Sequence, residues 1–218
     1  MSIDVKDIQR KDILQGVSEA IIGQIPVASF FLTAIDNVKN NVLQRKFEEW
    51  QEMVGKRLST LEDSVFANLG NNETFATTLL RTSELAAQSN KKKNEYLANA
   101  VLYTATNNIC EDYLIICLKC MANYTMSHLL FLHCFFEPSK YLKVDNIIAG
   151  SALNLFHQAF PKFDSSITNL IIKDLYGDGL INTDALNAMS TVNGILAKRT
   201  TKLGDLFLQL FDIKNVEL

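Results

Sequence analysis

The sequence predicts a mainly α fold: a multi-helix body containing one long helix, followed by a smaller α+β module of shorter elements. Three features lead there. Only 3 Pro and 9 Gly punctuate 218 residues, which favours long helices over the closely spaced turns of an all-β fold. Hydrophobic residues make up 48%, with 13 Phe, enough to fill a sizeable core and too many for a disordered chain. Apolar residues recur at three- and four-residue steps through most of the chain up to Phe136, the period of a helix buried along one face.

Residues 4–22 read as an amphipathic helix on Val5, Ile8, Ile13, Val17 and Ile21. Gly23 and Pro26 interrupt it, because proline lacks an N–H and disfavours a helical residue before it. From Val27 to Leu69 the helical pattern runs on, with Phe47, Trp50, Val54, Leu58, Leu61 and Val65 on the apolar stripe. A helix of that length is about 60 Å long, whereas a body of this size has a radius of gyration of only about 14 Å. The stripe would overhang, so Phe47, Trp50, Val54 and Leu61 are candidate interface residues, most simply in a symmetric dimer. A break at Gly55 or across 36–41, where Asp and Asn gather, would instead fold the helix back within one chain.

Gly70 suits a helix C-cap and Asn71 or Asn72 the next N-cap, opening a helix to about Gln88. Ser89 or Asn90 caps another, whose first turn, Lys91, Lys92 and Lys93, opposes the helix dipole. Residues 110–136 carry the clearest pattern. Cys110, Tyr113, Leu114, Cys117, Met121, Thr125, His128, Leu132 and Phe135 sit about a turn apart, predicting one central buried helix that ends at Glu137 and Pro138. The polar stretch 137–145 then divides a body over 1–140 from a module over 145–218. In the module, helices fall near 145–159 and 165–176, a short strand over Gly179–Asn182, and a last helix over 201–211.

The net charge of −3 gives no global footprint for nucleic acid. The acid- and base-containing N-terminal residues lack the apolar run of a secretory signal. Cys110, Cys117, Cys120 and Cys134 lie in one apolar stretch, which points to buried free thiols in a reducing compartment and a cytoplasmic location. The longest uncharged runs, Ala20–Ile35, Cys120–Phe136 and Asn146–Pro161, fall short of the roughly 20 apolar residues of a spanning helix, so no transmembrane segment is expected.

No catalytic residue, metal site or cofactor emerges from the motifs. Cys117 and Cys120 form a C-x-x-C with His133 downstream, but no second histidine follows at zinc-finger spacing. A redox C-x-x-C opens a helix, whereas this one lies inside a helical pattern. Asp174, Asp178 and Gly179 overlay part of a calcium loop, yet Tyr176 and Ala185 stand where oxygen ligands belong. Lys198, Arg199 and Lys202 form the basic cluster of the C-terminal part and are candidate phosphate contacts. That part is nonetheless net −1 over residues 150–218, and specific nucleic-acid binding is not expected.

Two stretches carry resemblances. Asp174, Leu175, Gly179, Leu180 and Ile181 resemble the D-L-x-x-x-G-L-I phrase of winged-helix domains. Thr201, Gly204, Phe207 and Leu208 resemble the T-x-x-G-x-x-F-L that closes them. The resemblance implies a winged-helix-like α+β module. The body, with Arg45, Phe47, Trp50, Asn72–Phe75, Lys91–Lys93 and His128–Leu130, resembles uncharacterised bacterial helical proteins of abortive-infection or phage-defence type. That implies a bacterial antiviral setting and no particular activity. The expected function is therefore a non-enzymatic interaction or sensor protein with a homo-oligomeric or protein partner. The alternatives are a nucleic-acid-binding regulator using the module, and a membrane-acting effector exposing Ala20–Ile35.

Overall fold

The computed structural model describes residues 38–143, 149–186, 189–214 and 216. The helix read over 4–22 and the Ala20–Ile35 run lie outside the described residues. Among those described there are eleven α-helices and two strands of three residues each. Their contacts divide the chain into two compact units, with the boundary between Leu118 and Lys119.

In the first unit, α1 (Val38–Leu58), α2 (Asp63–Asn68), α3 (Glu73–Ala86) and α4 (Lys91–Thr106) precede α5 (Glu111–Asn123). The expected long helix is broken after Leu58. Ser59 Oγ donates to the Lys56 carbonyl at 2.8 Å and Thr60 Oγ1 to the Arg57 carbonyl at 2.7 Å. Such side chains compete with the helical ladder, and Asp63 then starts α2 with an acid in its first turn. Gly55 stays inside α1. The caps of the next helices follow the sequence. Asn72 accepts from the Phe75 N–H, and Asn90 from the Lys93 N–H. α1 packs on α3 and α4. Ala98, Ala100 and Val101 of α4 are all at 0% exposure. Arg57 of α1 reaches α4, where its Nε donates to Asn99 Oδ1 at 2.7 Å, while its Nη1 donates to the Met53 carbonyl within α1 at 3.2 Å.

The second unit holds the end of α5, α6 (Met126–Phe136), α7 (Pro138–Tyr141), β1 (Ala149–Ser151), α8 (Ala152–Ala159), α9 (Ser165–Gly177), β2 (Met189–Thr191), α10 (Val192–Ile195) and α11 (Lys202–Leu210). The helix expected over 110–136 is thus two helices, parted at Tyr124 and Thr125. Thr125 is the N-cap of α6, and its backbone N–H donates to His128 Nδ1 at 3.3 Å. This is a capping box with histidine where Glu or Gln usually stands. α6 is apolar nearly all round and buried from His128 to Phe135. Phe131 meets Phe156, Phe160 and Phe163 with ring centroids 5.5, 5.2 and 5.5 Å apart. By contact α6 and α7 belong to this unit, and the polar 137–145 stretch lies within it.

Among the described residues the expected winged-helix-like α+β module is not present. β1 and β2 pair only with each other, and the strand expected over Gly179–Asn182 is a single bridge, Ile181 to Thr200. The Gly-Leu-Ile phrase has another use. Gly179, at φ +73°, turns the chain out of α9, with its N–H on the Tyr176 carbonyl and the Leu180 N–H on the Leu175 carbonyl, the bonding of a Schellman-type stop. Leu180 and Ile181 are then buried at 0% and 1% exposure. Thr201 caps α11 immediately after the bridge, which leaves no length for a strand. The Thr201 hydroxyl donates to the Gly179 carbonyl at 2.6 Å and accepts the Gly204 N–H at 3.1 Å. The T-x-x-G phrase therefore locks α11 onto the end of α9.

Candidate functional site

The second unit places a polar network at the break between α5 and α6. Tyr124 closes α5 at 3% exposure and His128 opens α6 at 8%. Their rings stack at 4.8 Å and 10°, and Phe207 of α11 backs Tyr124 at 5.9 Å. Each of the two side chains meets a carboxylate at the end of α9. Tyr124 Oη donates to Asp178 Oδ2 at 2.7 Å, and His128 Nε2 lies 3.2 Å from Asp174 Oδ2. Because Nδ1 accepts the Thr125 N–H, the neutral ring carries its proton on Nε2 and donates it to Asp174. Asp174 and Asp178 fall within reach because they lie one turn apart on the end of α9. Asn123, Lys173 and Gly177 complete the lining of an open cleft of about 350 Å³.

The geometry bears on what this cleft can do. Neither nitrogen of His128 is left for a substrate, so the ring positions α6 against α9 and is not set up as a general base. Burial, and then the Asp178 hydrogen bond, push the Tyr124 phenol upward, so it stays protonated and donates. Burial and Asp178 also push the Cys120 thiol up to about 11. Cys134 is raised by burial alone. Such thiols are poor nucleophiles. Among the described residues no group of three His, Cys, Asp or Glu converges to hold a metal. Asp174, read as the first calcium ligand, sits inside α9 and not in a loop. The four cysteines carry no disulfide, and Cys117, Cys120 and Cys134 are buried while Cys110 is exposed.

The residues singled out for an interface lie in the first unit. Trp50, Val54 and Leu61 are buried at 1%, 6% and 9% exposure. Phe47 is half-buried and stacks on Trp50 at 5.8 Å. Packing on α3 and α4 fills the stripe that the unbroken helix would have left overhanging. The three basic residues do not form an open patch. Lys198 bridges Asp205 at 2.7 Å and lies 4.4 Å from the Phe136 ring centre. Arg199 Nη2 donates to the Gly194 carbonyl at 2.7 Å, and Lys202 is exposed. Two of three cations are thus committed within the fold.

A different surface stands open. On α9, Ile167, Leu170 and Tyr176 are 44%, 58% and 46% exposed, while Thr168, Ile171, Ile172 and Leu175 are buried. Residues 167, 170, 174 and 177 step by three, four and three, so Ile167 and Leu170 share a ridge with Asp174 and Gly177. The apolar ridge runs into the cleft. The sequence held a signal for it, since the expected helix already carried more apolar residues than one buried face needs. The Thr125–His128 cap escaped the usual box pattern because of its histidine. Among the described residues no helix is long and apolar enough to cross a membrane. No family model, curated protein or solved structure matches the chain.

Proposed function

We propose that this chain is a non-enzymatic interaction or sensor protein whose partner, a second copy or another protein, docks on the exposed face of α9. The observation that carries this reading is the Ile167–Leu170 ridge, which shares its face of α9 with Asp174 of the cleft. A helix already buried on one face presents two large apolar side chains, Ile167 and Leu170, together to solvent, and clustered exposed apolar residues mark interaction sites more often than isolated ones. The closed hydrogen bonding of His128 and Tyr124 supports a positioning role for the network behind α9. The commitment of Lys198 and Arg199 within the fold weighs against the regulator reading. The same proposal places the chain in a reducing, cytoplasmic setting, in keeping with its buried thiols, and in antiviral defence, in keeping with the resemblance of its body.

The test compares native chain with an Ile167→Asp, Leu170→Asp variant as bait in extract of the source cell. A partner retained by the native chain and lost by a variant of unchanged thermal stability supports the proposal. Equal retention by both, or retention by neither, contradicts it.

A further inference from the structure

The ridge ends in two carboxylates, and these give the partner a chemistry. Asp174 and Asp178 are each held through one oxygen by a buried residue, His128 and Tyr124. Asp174 keeps 44% of its side chain exposed, and Asp178 is exposed as well. Both carboxylates are therefore fixed in place while still accessible. Fixed acceptors lose little entropy when a donor arrives, and paired carboxylate oxygens suit the forked donors of a guanidinium. The formal charge of the cleft lining is net −1, from Asp174, Asp178 and Lys173 with His128 neutral. Four residues, or about 6 Å of helix rise, separate Leu170 from Asp174, which places an apolar contact and a charged one under a single partner element.

We infer that the α9 ridge receives a segment of a partner protein that combines apolar side chains with one arginine or lysine, the apolar groups covering Ile167 and Leu170 and the cationic head entering the cleft between Asp174 and Asp178. The inference rests on the interaction reading above and names the partner's chemistry. Charge complementarity selects this occupant: the carboxylates repel an acidic segment, and a purely apolar one brings no donor for their other oxygens beside desolvated surface. Lys173 opposes the cationic head from the same wall, so its removal strengthens binding.

The experiment measures binding of the full chain to helical peptides carrying two leucines and, about one turn further on, Arg, Lys, Gln or Glu. The Arg and Lys peptides bind roughly tenfold more tightly than the Gln peptide, as a hydrogen bond between charged groups implies, and the Glu peptide binds most weakly. Asp174→Asn with Asp178→Asn keeps the acceptors of His128 and Tyr124 and abolishes the preference for Arg. Lys173→Gln increases it, and Leu170→Asp removes binding of every peptide. Equal binding of Arg and Gln peptides that still depends on Leu170 overturns this inference and leaves the interaction reading standing. Binding independent of Leu170, or none, overturns both. Self-association of the chain without peptide, lost in Leu170→Asp, assigns the ridge to a second copy and also overturns the inference.

Discussion

Trp50 is 1% exposed, yet among the described residues its indole N–H has no hydrogen-bond partner, nor has the equally buried Asn94 Oδ1. The ring therefore stabilises the first unit by packing alone. Trp50→Ala should cost about 3–5 kcal/mol. Trp50→Phe, which also deletes an unpaired donor, should cost clearly less, with chemical denaturation reading the difference. His133 offers a pH test. It is 1% exposed, and its Nδ1 shares a hydrogen bond with the Tyr141 hydroxyl at 2.8 Å. Burial, and then Lys140, hold its pKa below the ordinary value. The unfolded chain takes up this proton more readily than the folded one. The contribution to stability is complete above the unfolded value of about 6.5 and declines as pH falls below it. Thermal midpoints measured from pH 7.5 to 5 should drop, and His133→Gln should flatten that drop. An unchanged slope would assign the pH dependence to other groups.

At the scale of elements, caps and helix faces were legible in the sequence, because they depend on neighbours a few residues away. Asn72 and Asn90 stand where their patterns put them. What was not legible depended on contacts remote in sequence. The Gly179-Leu180-Ile181 phrase was read as a strand, although Leu180 and Ile181 are buried beneath α11 after a glycine stop and pair through one bridge only. The long helix concealed its break because Ser59 and Thr60 are neutral by periodicity and act through their hydroxyls. The candidate site was half visible: Asp174 and Asp178 drew notice for calcium, but nothing local ties them to Tyr124 and His128. Two glycines separate close packing from mere presence in a helix. A Cβ at Gly204 would lie 2.1 Å from the Leu180 carbonyl oxygen, so Gly204→Ala should destabilise by about 3 kcal/mol. A Cβ at Gly55 meets nothing within 4 Å, and Gly55→Ala in the middle of α1 should stabilise by about 0.5–1 kcal/mol. Denaturation of the two variants checks both signs. A harmless Gly204→Ala would mean that α11 does not seat on the end of α9.

For the whole molecule, the central claim is that the exposed ridge of α9 is a working surface. Folding explains Ile171, Ile172 and Leu175, which are buried, but leaves Leu170 mostly in solvent, exposed at 58%. Site-specific photo-crosslinking reads this directly. With a photoreactive residue at position 170, the chain expressed in its source cell should give a discrete adduct on irradiation. The adduct should disappear with Ile167→Asp and be absent when the same group stands at Gln44, an exposed position on α1. No adduct at 170, or an equal one at 44, would contradict the account.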